Sequence, residues 1–223
     1  MRITTILFDL DCTLYPKRTG LQEEQDRRIT EFIASRLGIP RGEADRLRRK
    51  YWARYGTTVQ GLVEHHGLDP RDYYEHINDV DLARFLKPDA GIEAAVRRLS
   101  QRKVIFTNSP GKFAEAVLGV LRIRQHFDRI YSIEFFDHRG KPNPAAYERV
   151  LDDLGIGPAE CLIVEDTFHN LLPARRLGMR TVLVGGNEDD VDACINDITE
   201  LPEAVDSLDA RKAAGRRVDA VEP

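Results

Sequence analysis

Short, nearly unbroken apolar runs alternate with helical periodicity along most of the chain. The runs are Ile3 to Phe8, Val104 to Phe106, Ile130 to Ile133, Leu162 to Val164 and Thr181 to Val184. Each is too short for a helix and shows no polar face, the pattern of strands covered on both sides in a parallel sheet. Between the later runs the spacing changes to i, i+3, i+4, i+7. Ile92, Ala95, Val96 and Leu99 form one such stripe, and Phe113, Ala116, Val117, Val120 and Leu121 the next. A third stretch opens at Pro144, carries Tyr147, Val150, Leu151 and Leu154, and stops at Gly155. A fourth carries Leu171, Ala174 and Leu177 and stops at Gly178. Proline in the first turn and glycine just past the last mark helix boundaries. The alternation predicts an α/β fold: a Rossmann-like, doubly wound parallel sheet with right-handed crossovers.

The rhythm breaks after the first run, where helical patterns follow one another with no strand between them. Ile29, Phe32, Ile33 and Leu37 precede Gly38; Ala44, Leu47, Tyr51 and Tyr55 come next; Val59, Leu62, Val63 and His66 precede Gly67. Asp69-Pro70 reads as the cap and first turn of a fourth helix. We therefore expect an inserted helical cap domain over residues 16–87 and a catalytic core from residues 1–15 and 88–208. An insertion that leaves a strand at its C-terminal end stands over the crevice where open α/β sheets bind ligands. Residues 209–223 are polar and Ala/Arg-rich without a packing pattern, and are expected to form a disordered tail.

Composition narrows the class. The 223 residues carry 33 Lys+Arg against 37 Asp+Glu, a formal charge of −4, and 42% are hydrophobic. That is enough apolar mass for one large domain with an insert, and the mild acidity disfavours a nucleic-acid polymer as partner. No apolar run approaches the ~18 residues of a membrane span, and the opening MRITTILFDLD turns acidic too early for a signal peptide. Cys12, Cys161 and Cys194 lie far apart without CxxC spacing, so neither a disulfide framework nor a zinc site is indicated. The expected setting is a reducing cytoplasm.

The chemistry concentrates at strand ends. Asp9 and Asp11, in FDLDCTLY, follow the first strand directly. Thr107-Asn108-Ser109 follows the second, Lys141 stands in GKPNP before the proline-started helix, and Glu165-Asp166 follows Leu162-Ile163-Val164, with Asn170 beyond. Alone, each has a bland explanation: a turn, a helix cap, a surface lysine. In this order, each at the edge where a parallel sheet presents its ligand crevice, they read as one site.

These motifs resemble the haloacid dehalogenase-like superfamily of aspartyl phosphotransferases and phosphatases over roughly residues 3 to 187. The resemblance implies a Rossmann-like core, a cap after the first strand and a Mg²⁺-dependent phosphatase that works through an aspartyl-phosphate. The physical reading of the residues runs beside it. A phosphate monoester dianion repels nucleophiles, and a rigidly aimed carboxylate attacks it only if cations neutralise the phosphoryl oxygens. Asp9, ending the strand, is the nucleophile; Asp11 protonates the leaving oxygen and then deprotonates water. Asp9, the Asp11 carbonyl and Asp166 would hold Mg²⁺, with Glu165 and Asn170 behind them. Thr107 and Asn108 would hydrogen-bond the phosphoryl group and Lys141 would supply fixed positive charge.

Two positions depart from the commoner pattern: Cys12 stands where glycine is often found, and Glu165 replaces a second aspartate. Asp11 sets the chain apart from the metal-independent dehalogenase branch. DLDCTLYP, TNSPGKF and VEDTFHN look most like the pyrimidine 5′-nucleotidase branch, which implies nucleoside monophosphates such as UMP or CMP as substrates. A sugar-phosphate phosphatase, a phosphomutase and a catalytically inactive binding module are the alternatives. The cap offers Tyr51, Trp52, Tyr55, Tyr73 and Tyr74 as aromatic surface, and six cations against two acids between Arg41 and Arg54. Tyr15, at the cap hinge, and His169, beside the Asp166 loop, are expected to touch substrate.

Overall fold

A computed structural model describes residues 2–218. Strand β1 (Thr5–Phe8) leads into four helices: α1 (Leu21–Leu37), α2 (Arg41–Tyr55), α3 (Thr58–His66) and α4 (Pro70–Asn78). Helix α5 (Ala90–Arg98), β2 (Arg102–Phe106), α6 (Gly111–Leu121), β3 (Arg129–Tyr131) and α7 (Pro144–Leu154) follow. The chain then forms β4 (Cys161–Glu165), α8 (Phe168–Leu177), β5 (Arg180–Val184), β6 (Ala193–Ile195) and α9 (Leu201–Val218). All strands are parallel, in the order β3-β2-β1-β4-β5-β6. The chain winds outward from β1 in one direction, then returns to add β4, β5 and β6 on the other side. The reversal point lies at the C-terminal ends of β1 and β4, where doubly wound sheets place their ligands.

The apolar runs explain the layers. Every residue of β1 and of β4 is buried. Alternate side chains serve opposite faces. Ile6, Phe8, Ile105, Leu162 and Val164 meet α5, α6 and α9 through Val96, Val117, Leu118 and Val205. Leu7, Val104, Phe106 and Ile163 meet α7 and α8 through Tyr147, Val150, Leu171 and Ala174. The cap has its own smaller cluster around Ile29, Phe32, Ile33, Leu62 and Tyr73. Its four helices occupy residues 21–78, while Leu82 and Leu86 pack into the core cluster.

Two features differ from the sequence expectation. Strand β6, three residues at the sheet edge with Cys194 exposed, is an addition to the five expected strands. Helix α9 runs on to Val218 where a tail was expected from residue 209. Leu208 is buried, and the Asp209 carboxylate accepts a hydrogen bond from the Ile3 amide at 3.3 Å, so its start is tied to the sheet. The remainder of that expectation, residues 219–223, lies outside the described residues. Among the described residues no helix is long and apolar enough to cross a membrane.

Candidate active site

The β1 backbone aims Asp9: its amide donates to the Val164 carbonyl at 2.9 Å, extending the β1–β4 ladder by one residue. The chain then turns tightly, with Cys12 in the left-handed region at φ 61. Glycine adopts that conformation without steric cost, which explains the commoner residue at this position. Burial, and then the charges of Asp166, Asp11 and Asp9, push the Cys12 thiol well above its usual range. That environment disfavours the thiolate, the form in which cysteine acts as a nucleophile.

Lys141 is the electrostatic centre. Its Nζ donates to Asp9 Oδ1 and to Glu165 Oε2, both at 2.6 Å, and the residue is 1% exposed. Burial opposes the charge on its ammonium, but Asp9 and Glu165 outweigh burial and hold its pKa above the ordinary lysine value. The Phe106 ring lies 5.2 Å from the same nitrogen, a cation–π contact. The backbone of Lys141 is clamped by Asn108, whose Oδ1 accepts from the Lys141 amide and whose Nδ2 donates to the Lys141 carbonyl, each at 2.8 Å. The clamp requires Gly140, because a Cβ there would lie 2.1 Å from Asn108 Oδ1.

Around this lysine the carboxylates differ in their environments. Asp9 Oδ2 accepts from Thr13 Oγ1 at 3.0 Å. Burial, then the Glu165 charge, raise Asp9 to about 7 against the pull of Lys141. Glu165 is raised to about 7, chiefly by burial, and Asp166 to about 6 by burial and then by Asp9. Asp11 is gripped from both sides: Tyr15 OH donates to Oδ1 and Ser109 Oγ to Oδ2, each at 2.6 Å. Asp9, Glu165 and Asp166 each offer an oxygen, all within 4.8 Å of one another. That donor set is all oxygen and carries more negative charge than Lys141 balances, which fits a hard divalent cation.

Above these groups lies a cavity of about 440 Å³ between core and cap. From the core, Asp9, Asp11, Asn108, Ser109, Lys141, Glu165, Asp166 and Asn170 line it. From the cap come residues that share helix faces: Gln22, Gln25, Asp26 and Ile29 on α1, Arg48 and Trp52 on α2, and Tyr73, Tyr74 and Ile77 on α4. The loop before α3 adds Gly56 and Thr57.

The residues singled out from sequence are thus placed unequally. Asp9, Asp11, Lys141 and Asp166 converge at the cavity floor. Asn108 reaches the cavity but spends its amide on Lys141. Thr107 is fully buried; its hydroxyl accepts the Ser109 amide at 3.0 Å and shapes the loop that presents Asn108 and Ser109. Tyr15 is buried, with its hydroxyl on Asp11, and does not line this cavity. His169 is exposed in the first turn of α8, and the α8 residue that reaches the cavity is Asn170. Tyr51 and Tyr55 pair with His66 and His65 at 2.8 and 2.6 Å within the cap. Sequence reasoning missed the grip of Ser109 on Asp11 and the cap wall of Gln22, Asp26 and Thr57; Arg48 was one of the six cap cations, without a sign that it alone of them lines the cavity. TNSP gave no hint which of its hydroxyls would face the aspartate.

Comparison with known proteins agrees with this geometry. The haloacid dehalogenase-like hydrolase family matches residues 3–178. Phosphate metabolism protein 8 of Saccharomyces cerevisiae is 29% identical over 79% of this chain, which spans 60% of that protein's length. A 5′-nucleotidase of Pseudomonas aeruginosa is 29% identical over 86% of this chain and 89% of its own. Among solved structures, a phosphatase from Thermococcus onnurineus superposes with a TM-score of 0.64 at 20% identity, covering 91% of this chain and 97% of that one. A fold of this topology, with a family match over most of its length, identifies the chain as a member of the haloacid dehalogenase-like hydrolase family.

Proposed function

We propose that the chain hydrolyses phosphate monoesters through Asp9, and that its substrates are pyrimidine nucleoside 5′-monophosphates. The observation that carries the first part is the buried bridge of Lys141 between Asp9 and Glu165, with Nζ 2.6 Å from each. An aspartate bound on one oxygen by an ammonium and on the other by Thr13 is fixed in direction before substrate arrives, so little reorganisation is needed for attack. The Asp9 carboxylate bonds to phosphorus while the bond to the leaving oxygen breaks, and Asp11 in its acid form gives that oxygen a proton. Asp11, now a carboxylate, takes a proton from water as the water attacks the aspartyl-phosphate, and inorganic phosphate leaves. Tyr15 and Ser109 keep Asp11 facing the leaving group through both steps.

Asp9, the Asp11 backbone carbonyl and Asp166 are the residues that would hold Mg²⁺, with Glu165 beside them. When bound, Mg²⁺ neutralises charge on the phosphoryl oxygens. The nucleotide assignment is supported by the Pseudomonas relative named a 5′-nucleotidase and by the cavity's size. Another relative from Pseudomonas aeruginosa is named phosphoglycolate phosphatase 1, at 25% identity, and defines the rival substrate.

The test is phosphate release from UMP, CMP, glucose 1-phosphate and phosphoglycolate, with Mg²⁺ and with EDTA. UMP and CMP are expected to give the highest kcat/KM, and EDTA to stop turnover. Asp9→Asn is expected to lower kcat by at least ~10³-fold, as loss of a nucleophile does. Equal release by Asp9→Asn and the parent protein would overturn the proposal.

A further inference from the structure

At the cavity floor each reacting side chain has a partner, but on the cap side two do not. Thr57 Oγ1 and Tyr74 OH are buried, line the cavity, and have no hydrogen-bond partner among the described residues. A buried hydroxyl left unpaired loses its hydration with nothing in return, so such groups call for a ligand or water. The Tyr74 hydroxyl is held in place by its ring, and the Thr57 backbone by its neighbour. The Tyr74 ring stacks on His138 of the core with centroids 5.9 Å apart and 24° between planes, and packs edge-on against Tyr73 at 5.2 Å. Thr57 follows Gly56, a residue at φ 76 where a Cβ would lie 2.2 Å from Pro142 Cδ and 3.0 Å from the Lys141 carbonyl. The loop therefore presses on the segment that carries the catalytic lysine.

Charge on the same wall is already spent. Asp26 and Arg48 are the charged cap-helix residues lining the cavity. Arg48 Nη1 lies 2.9 Å from Asp26 and Nη2 3.0 Å from Asp45, with the arginine side chain only 14% exposed. Lys17, before α1, also lines the cavity, but it is solvent-exposed, where pairing with an anion is weak. A second anionic group that reaches the cap helices would meet an arginine already paired with two carboxylates, beside donor hydroxyls.

We propose that Thr57 and Tyr74 determine specificity by hydrogen-bonding the neutral leaving group of the phosphate ester, and that the Arg48–Asp26 pair excludes esters bearing a second anion. The proposal rests on the phosphomonoesterase reading above and names the class of leaving group: a neutral alcohol rich in hydrogen-bonding groups, such as a nucleoside.

The test measures kcat/KM with Mg²⁺ for UMP, phosphoglycolate and phenyl phosphate, whose leaving group offers no comparable hydrogen bonds. In the parent protein UMP should exceed phosphoglycolate by about 100-fold, about tenfold for each of the two hydrogen bonds that phosphoglycolate does not make. Thr57→Val and Tyr74→Phe keep side-chain shape, and each should lower the ratio of UMP to phenyl phosphate about 10-fold, mainly through the KM for UMP. Thr57→Ser, which keeps the hydroxyl, should restore the ratio. Asp26→Asn, which loosens the hold on Arg48, should improve phosphoglycolate relative to UMP. If phenyl phosphate is hydrolysed while phosphoglycolate equals UMP, or while both hydroxyl deletions leave the ratio unchanged, the subsite proposal alone falls. If the parent protein releases phosphate from none of the three, the phosphomonoesterase reading fails and the subsite falls with it.

Discussion

Lys141 in the core and Arg48 in the cap are the same device in two settings: a cation held between two carboxylates at the edge of one cavity. Lys141 and its partners Asp9 and Glu165 are almost sealed, with side chains 1%, 8% and 2% exposed. Arg48 is 14% exposed, but Asp26 and Asp45 keep 37% and 33% of their side chains in water. Charges removed from water lean on one another for their ionised state, while charges that keep their hydration pair at little gain. The core has thus turned burial into electrostatic preorganisation, and the cap has turned partial exposure into a wall whose charge is cancelled.

Breaking the core bridge should have the largest effect. Lys141→Gln leaves Asp9 and Glu165 buried without their cation, a change that costs about 3–5 kcal/mol when one partner of a buried pair is lost. The two carboxyls should then take up protons, and a protonated Asp9 cannot attack. We expect a clear fall in the denaturant midpoint by circular dichroism and a kcat lower by about 10²–10³-fold. Unchanged stability would mean that the bridge is not the linchpin of this region.

A smaller effect should come from the loops that aim Asp11. Ser109→Ala removes one of its two hydrogen bonds and Tyr15→Phe the other, while both leave Lys141 and the cap side of the cavity intact. Each variant should lower kcat about 10-fold with KM held nearly constant, because the groups act on proton transfer and not on binding. Steady-state kinetics on UMP reads this directly. A rise in KM with kcat unchanged would place Ser109 in substrate binding instead.

The contrast between core and cap also governs what could be read from the chain. Strands β1, β2, β4 and β5 were legible because strands buried on both faces carry apolar runs, and helices α1 to α8 through their apolar stripes or a Gly or Pro at a boundary. Strand β6 was not, since Ala193-Cys194-Ile195 is only three residues long, with acidic and polar neighbours on both sides. Asp9, Asp11, Lys141 and Asp166 stood out because strand ends converge in this topology. Partnerships did not stand out: Ser109 meets Asp11 across 98 residues, and a sequence does not state which hydroxyl of Thr107-Asn108-Ser109 turns inward. The basic stretch of α2 looked like a cationic surface, but Arg48 and Arg49 both return to Asp45. Local charge counts fail there because neutralisation depends on rotamers and on Asp26 of another helix.

The smallest predicted effect sharpens the comparison most. Arg48→Gln removes the cap's bridging cation as Lys141→Gln removes the core's, yet Asp26 and Asp45 can each regain water on the side they already expose. Loss of stability should stay within about 1 kcal/mol, the range of partly solvated ion pairs. It should also depend on salt: near 1 M, with a Debye length of ~3 Å, the difference between Arg48→Gln and parent should shrink toward zero. The deficit of Lys141→Gln should persist there, because ions do not enter a site whose three charged side chains are at most 8% exposed. Urea denaturation of both variants at low and high salt separates the two cases. If salt erased both deficits alike, burial would not be what distinguishes the chemistry of the core from the wall of the cap.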